Sequence, residues 1–314
     1  MTRVAIVGGG ANPEHEVSLA SAEGIGGALR ETGYDVVALT IARDGKWHDS
    51  AGAPLSFAAA VDLLQSCAVV VSALHGPHGE DGTLAALCDL AGLPCVGSGV
   101  MAGAAAMDKW LTKLAVGAVG VRTARGVLLR RGQALPDIEL PVVVKPVSSG
   151  SSHGVALVRD PAVLAEAVTA AFALDDRVLV EELIEGREID LAVLGRPDGS
   201  RTVAPALEIL PTESGVFDLA TKYDGSARFL VPAPLSDDER QALERAAITV
   251  YDALGCGGVA RVDFFLTEAG PVLNEVNTMP GFTEHSQVPR MFAAAGISYA
   301  QLVDLLVRDA VTPQ

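Results

Sequence analysis

The sequence predicts two kinds of layered structure in one chain, an α/β unit with a parallel sheet at the N-terminus and α+β units behind it. Three observations carry that expectation. Short β-branched runs alternate with Ala- and Leu-rich amphipathic stretches through the first third, as strands joined by crossover helices do. From Met101 the texture changes to short strands separated by turns. The 314 residues exceed one small module and suit two or three domains.

Residues 4–7, 36–41 and 68–72 are β-branched and read as strands, with helices at 18–30 and 58–65 between them. Residues 79–92 read as a helix opening on acidic residues and closing on Gly92, followed by a strand at 94–96, so a first domain spans 1–97. A central unit, 98–182, follows. It has helices at 106–116 and 161–173 and strands at 141–145, 155–158 and 178–181. The last domain, 183–314, has strands at 188–194, 204–209, 261–266 and 271–276, a loop at 211–226, and helices at 237–254 and 298–309. No internal repeat is present.

The composition narrows the partners. A formal net charge of −16 repels a phosphate backbone, which argues against nucleic acid. Hydrophobic residues at 49% with 4% aromatics imply a core of Ala, Val and Leu. Mean hydropathy is +0.34, yet the longest apolar runs, 67–74 and 100–107, fall short of the roughly 18 residues a membrane span needs. The first seven residues carry no basic leader. Cys67, Cys88, Cys95 and Cys256 sit in apolar surroundings without C-x-x-C spacing, as reduced core thiols do. A cytoplasmic protein with no membrane partner is expected.

Three patterns suggest chemistry. Gly8-x-Gly10 after a strand invites a dinucleotide reading, but Pro13 stands where the third glycine belongs and no acidic residue is clearly placed after the second strand. In 145–154, KPVSSGSSHG, a lysine at a strand end precedes a Gly/Ser loop whose N–H groups and hydroxyls can fold over phosphates; a plain hairpin is the duller reading. Asp263 and the pair Glu275 and Asn277 lie on two runs joined by the short turn at 267–270. Alternate residues share a strand face, so these three can converge as hard oxygen ligands for Mg²⁺. A solvated polar face fits less well, because Val276 and Phe264 alternate inward.

Five stretches taken together resemble the D-alanine–D-alanine ligase family of the ATP-grasp superfamily: PEHEVSL at 13–19, HGPHGEDGT at 75–83, GSGV at 97–100 with AMDK at 106–109, KPVSSGSSHGV at 145–155, and NEVNTMPG at 274–281 followed by His285-Ser286. The resemblance is collinear over nearly the whole chain. It implies a three-domain ATP-grasp architecture with a Rossmann-like N-terminal domain, a central lid and a C-terminal domain holding the metals. It implies ATP and two Mg²⁺ (or Mn²⁺), D-alanine as substrate, an acyl-phosphate intermediate and a homodimer.

By resemblance, Lys109, Lys145 and Lys222 contact ATP phosphates, Ser151 borders the nucleotide, and Glu181, Glu188 and the hinge at Leu183 hold the adenosine. Asp263, Glu275 and Asn277 bind the metals. Arg261 and the N–H of Gly281 face the oxyanion. Glu14, with Ser151 and Tyr223, meets the first D-alanine, His75 lies beside it, and Ser286 and Gln287 border the second. Duller readings stand beside these: Glu14 as a helix cap, Tyr223 as a loop aromatic, and His75 or His78 as a solvated histidine. His15, His48 and His153 read as surface or structural residues.

The sequence also departs from the family pattern. Phe217 and Leu219 remove two loop hydroxyls, Ala85-Ala86 stands where Gln-Gly is common, and Gln287 replaces a Leu or Met. Tyr223 implies an amine nucleophile and a dipeptide product. The polar Gln287 leaves D-serine open as second substrate.

Overall fold

The structure is a computed structural model that describes residues 1–135, 138–210 and 228–312. It contains three sheets. The first has strands β1 (Arg3–Gly9), β2 (Asp35–Ile41), β3 (Trp47–His48), β4 (Pro54–Leu55), β5 (Val69–Ser72) and β6 (Cys95–Val96), in the order β4-β3-β2-β1-β5-β6. β1 runs parallel to β2 and β5, and β6 parallel to β5. Helices α1 (His15–Glu31), α2 (Phe57–Gln65) and α3 (Thr83–Ala91) make the crossovers. The glycine run after β1 serves close packing. A Cβ on Gly8 would stand 2.7 Å from that of Ala22 on α1, and one on Gly9 would strike the Ile41 carbonyl.

Helices α4 (Val100–Met107) and α5 (Lys109–Ala118) lead to the second sheet. A single helix was expected here; Asp108 breaks it, turning to ψ 96° and capping α5 by accepting from the Leu111 N–H. The second sheet has β7 (Gly126–Arg130), β8 (Val142–Pro146), β9 (Ala156–Val158) and β10 (Arg177–Glu182) in the order β7-β10-β8-β9, all antiparallel. Helix α6 (Pro161–Phe172) covers it, and the two share a core of Val142, Val144, Leu164, Val168 and Val180.

The third sheet has β11 (Arg187–Gly195), β12 (Arg201–Val203), β13 (Leu207–Ile209), β14 (Phe229–Leu230), β15 (Val259–Thr267) and β16 (Gly270–Asn277). Its order is β14-β13-β11-β15-β16, with β12 also paired to β11. Helix α7 (Asp237–Leu254) starts at a Ser236–Glu239 capping box and stops at Gly255, whose φ is +67°. It packs with α4 and α5 on one face of this sheet, over Val262, Phe264 and Leu266. Helices α8 (Gln287–Ala294) and α9 (Tyr299–Val311) complete the fold, joining Val4, Ile6, Ile25 and Leu29 of the first unit in a shared core. Among the described residues no single helix is long and apolar enough to cross a membrane.

A β-bulge shapes β16. Asp263 pairs with Glu275 and Phe264 with Leu273, so Asn274 is the extra residue. Leu273 and Val276 thereby both stay in the core while Glu275 and Asn277 share a face with Arg261 and Asp263.

Candidate active site

Between the second and third sheets lies a cavity of about 570 Å³, a size suited to a small-molecule ligand. Lys109, Lys145, Glu181, Leu183, Glu188 and Glu275 all border it. Lys145, at the end of β8, reaches Glu181 on the paired strand β10 at 2.6 Å. Lys113 holds the other oxygen of that carboxylate, also at 2.6 Å. Burial pushes the Glu181 pKa up, but the two lysines outweigh it and hold the group below the usual carboxylate value. Lys109 donates to the Ser149 carbonyl at 2.6 Å and lies 3.6 Å from Glu275. The Leu183 N–H is tied to the Pro141 carbonyl. His153, read from sequence as structural, also borders the cavity.

At the metal end, Arg261 donates from Nε and Nη2 to the two oxygens of Asp263, each at 2.7 Å, and from Nη1 to Gln287 Oε1 at 2.6 Å. Burial works to lower the Arg261 pKa, but Asp263 and Asp190 overcome it and raise the pKa well above the ordinary value. Asn277 donates to Asp263 Oδ2 at 3.0 Å, leaving its amide oxygen as an acceptor. Among the described residues no three His, Cys, Asp or Glu side chains converge on one point. A cation here would take two carboxylates and the Asn277 oxygen, a hard-oxygen set that fits Mg²⁺ beside phosphates.

At the substrate end, Glu14 precedes α1, yet its side chain does not cap the helix. Its carboxylate accepts from Ser151 Oγ at 2.5 Å instead, across 137 residues of sequence. Ser151 and Ser152 have φ of +50° and +57°, left-handed values that serine rarely adopts outside a constrained site. Gly76 makes room for Glu14, because a Cβ there would stand 2.6 Å from Glu14 Oε2.

His75 is not the solvated histidine of the duller reading. It is 3% exposed, and burial lowers its pKa, so the ring is neutral near pH 7. Nδ1–H donates to the Met279 carbonyl and Nε2 accepts from Ser21 Oγ, both at 2.9 Å, while Ser21 accepts from the Phe282 N–H. Tyr299 holds the Phe282 carbonyl from the other side. The turn carrying Gly281 is thus fixed at three points, and the Gly281 N–H donates to no group among the described residues. Ser286 accepts from the Thr283 N–H at 2.9 Å, close to Gly281.

Sequence reasoning missed Glu80, Lys113, Ser21 and Asp190. Glu80 accepts from the Gly76 N–H, and burial followed by the charge of Glu14 pushes its pKa up to about 8. Lys113 was findable, since it lies four residues after Lys109 on one face of α5. Lys222 and Tyr223 lie outside the described residues.

The comparisons agree on what this arrangement belongs to. The family profile described as D-ala D-ala ligase C-terminus matches residues 130–308, and that of the D-ala D-ala ligase N-terminus matches 3–62. This chain belongs to the D-ala D-ala ligase family. One family relative, a D-alanine–D-alanine ligase of Mycobacterium sp. (strain KMS), is 42% identical over 99% of this chain and 96% of its own length. The fold of the family is shared too. A solved D-Ala:D-Ser ligase from Enterococcus faecalis superposes with a TM-score of 0.86 at 33% identity, covering 98% of this chain and 99% of that one. The D-alanine–D-alanine ligase from Bacillus anthracis complexed with ATP gives 0.83 at 27%, covering 99% and 98%.

Proposed function

We propose that this protein is an ATP-dependent ligase that joins two D-alanine molecules into D-alanyl-D-alanine, the dipeptide of peptidoglycan precursors. The observation that carries the reading is a chain of contacts: Lys109 reaches Glu275, which pairs across the strands with Asp263, the acceptor for Arg261, while buried Glu80 feels the charges of both Arg261 and Glu14, the acceptor for Ser151. The first D-alanine carboxylate attacks the γ-phosphorus of ATP and ADP departs. The amine of the second then attacks the acyl carbon, and phosphate leaves from the tetrahedral intermediate.

Each residue answers one charge in that sequence. Lys109 and Lys145 offset the triphosphate, so that a carboxylate anion can approach it. Glu14 pairs with the ammonium of the first D-alanine. Arg261 and the Gly281 N–H, fixed in place beforehand, stabilise the oxyanion. Ser286 donates to the carboxylate of the second D-alanine. Asp263, Glu275 and Asn277 would hold two Mg²⁺, which neutralise phosphate charge when bound. Lys222 and Tyr223 are carried from the resemblance alone, as phosphate and substrate contacts.

The assay is phosphate release with D-alanine, ATP and Mg²⁺, with the product weighed by mass spectrometry; folded protein that releases no phosphate refutes the reading. A second acceptor is favoured by one contact. Gln287 is bonded to Arg261 through its oxygen, so its amide N–H groups remain to meet a hydroxyl such as that of D-serine. Competition between D-alanine and D-serine decides between them. The four cysteines, all free thiols, support a reducing, cytoplasmic setting. The homodimer carried from the resemblance is tested by sedimentation equilibrium.

A further inference from the structure

Asp190 is fully buried on β11, and the sheet register sets it opposite Asp263, which is in turn opposite Glu275. Three carboxylates therefore form one row across three neighbouring strands, with Arg261 beside them. Asp190 Oδ2 lies 3.6 Å from Arg261 Nε. Of the row, Glu275 borders the nucleotide-sized cavity, whereas Asp190 does not.

Asp263 has two partners to serve. Both of its oxygens accept from the Arg261 guanidinium here, yet the proposed function assigns the same oxygens to a divalent cation. A guanidinium and a metal on one carboxylate repel each other, so holding the metal weakens the hold on Arg261. A buried guanidinium without an anion is strongly unfavourable. The neighbouring anion that no ligand can reach is Asp190.

We propose that Asp190 is the positioning residue for Arg261, anchoring the guanidinium from the neighbouring strand β11 when Asp263 turns to the metal. The inference rests on the reading of Asp263 as a metal ligand. Asp190 touches no substrate. Its effect is transmitted through the plane in which Arg261 presents its N–H groups, as outer partners tune inner ones at metal sites.

The test is Asp190→Asn, which keeps the shape and removes the charge. Mn²⁺ binding in the presence of ADP, read by electron paramagnetic resonance, should weaken about 10-fold, because Arg261 then leans wholly on Asp263. The kcat should fall about 10- to 100-fold with KM for ATP nearly unchanged, and Asp190→Glu should recover part of both. In an Arg261→Met background, Asp190→Asn should cost no further metal affinity. Parental Mn²⁺ affinity and kcat in Asp190→Asn, or an undiminished loss without Arg261, overturns the proposal. Should Asp190→Asn fail to fold, adding Arg261→Met must restore folding by removing the unpaired cation; a double variant that stays unfolded overturns it equally. Asp263→Asn is measured in parallel. Unchanged Mn²⁺ affinity in that variant sinks the metal reading itself, whatever Asp190 does.

Discussion

Glu80 gives the sharpest test of the electrostatics. Its side chain is only 14% exposed, and burial beside the charge of Glu14 raises its pKa from 4.5 to about 8. The folded chain therefore keeps this proton over a range in which the unfolded chain has lost it. The contribution to stability is full below pH 4.5, declines as pH rises and is gone above about 8. At about 1.4 kcal/mol per pH unit the span amounts to roughly 5 kcal/mol. Glu80→Gln removes the titrating proton and keeps an acceptor for the Gly76 N–H. Urea unfolding of ligand-free protein in chelator, from pH 5 to 9, should show the variant gaining on the parent by about 1.4 kcal/mol per unit until the gain levels off near pH 8. Parallel stability curves for the two proteins would refute the assignment of a protonated Glu80.

Three further outcomes follow from the geometry. Gly76→Ala pushes a Cβ to 2.6 Å from Glu14 Oε2 at a φ of +67°, so KM for D-alanine should rise about 10-fold, with roughly 1–2 kcal/mol of stability lost; initial rates and a thermal melt check both. Lys113→Met leaves Glu181 with Lys145 alone, and KM for ATP should rise about 10-fold while urea unfolding shows a loss of roughly 2–3 kcal/mol. Ser21→Ala frees the Phe282 N–H and unties His75, loosening the turn that carries Gly281. Steady-state kinetics should show kcat reduced by roughly 1–2 kcal/mol of barrier with KM for ATP unmoved.

Much of this was legible because strand alternation is strict. The i and i+2 spacing of Glu275 and Asn277 was enough to place those two on one face, but their meeting with Asp263 depends on the bulge, without which Asp263 would pair with Asn274. Periodicity could not reveal the Asn274 bulge, which is a property of the pairing. Asp190 was silent for a related reason: an acid inside an apolar strand reads as its outward face until the register shows an arginine beside it. The cap reading of Glu14 was sound local chemistry, outcompeted by a serine far away in sequence. The helix expected at 79–92 begins only at Thr83, because Gly82, just ahead of it, turns to a φ of +85°.

The core shared by the two ends of the chain bears on how the protein is made. Val4, Ile6, Ile25 and Leu29 leave the ribosome well before Val288, Phe292, Leu302 and Leu306, which cover them. Tyr34 likewise waits for Asp304, its hydrogen-bond acceptor at 2.8 Å. The opening βαβ segment thus stays unsealed on that face until α8 and α9 are made. A chain halted before α8 would present that bare apolar face to quality control, whereas the second sheet, with a core of its own, is already closed by then.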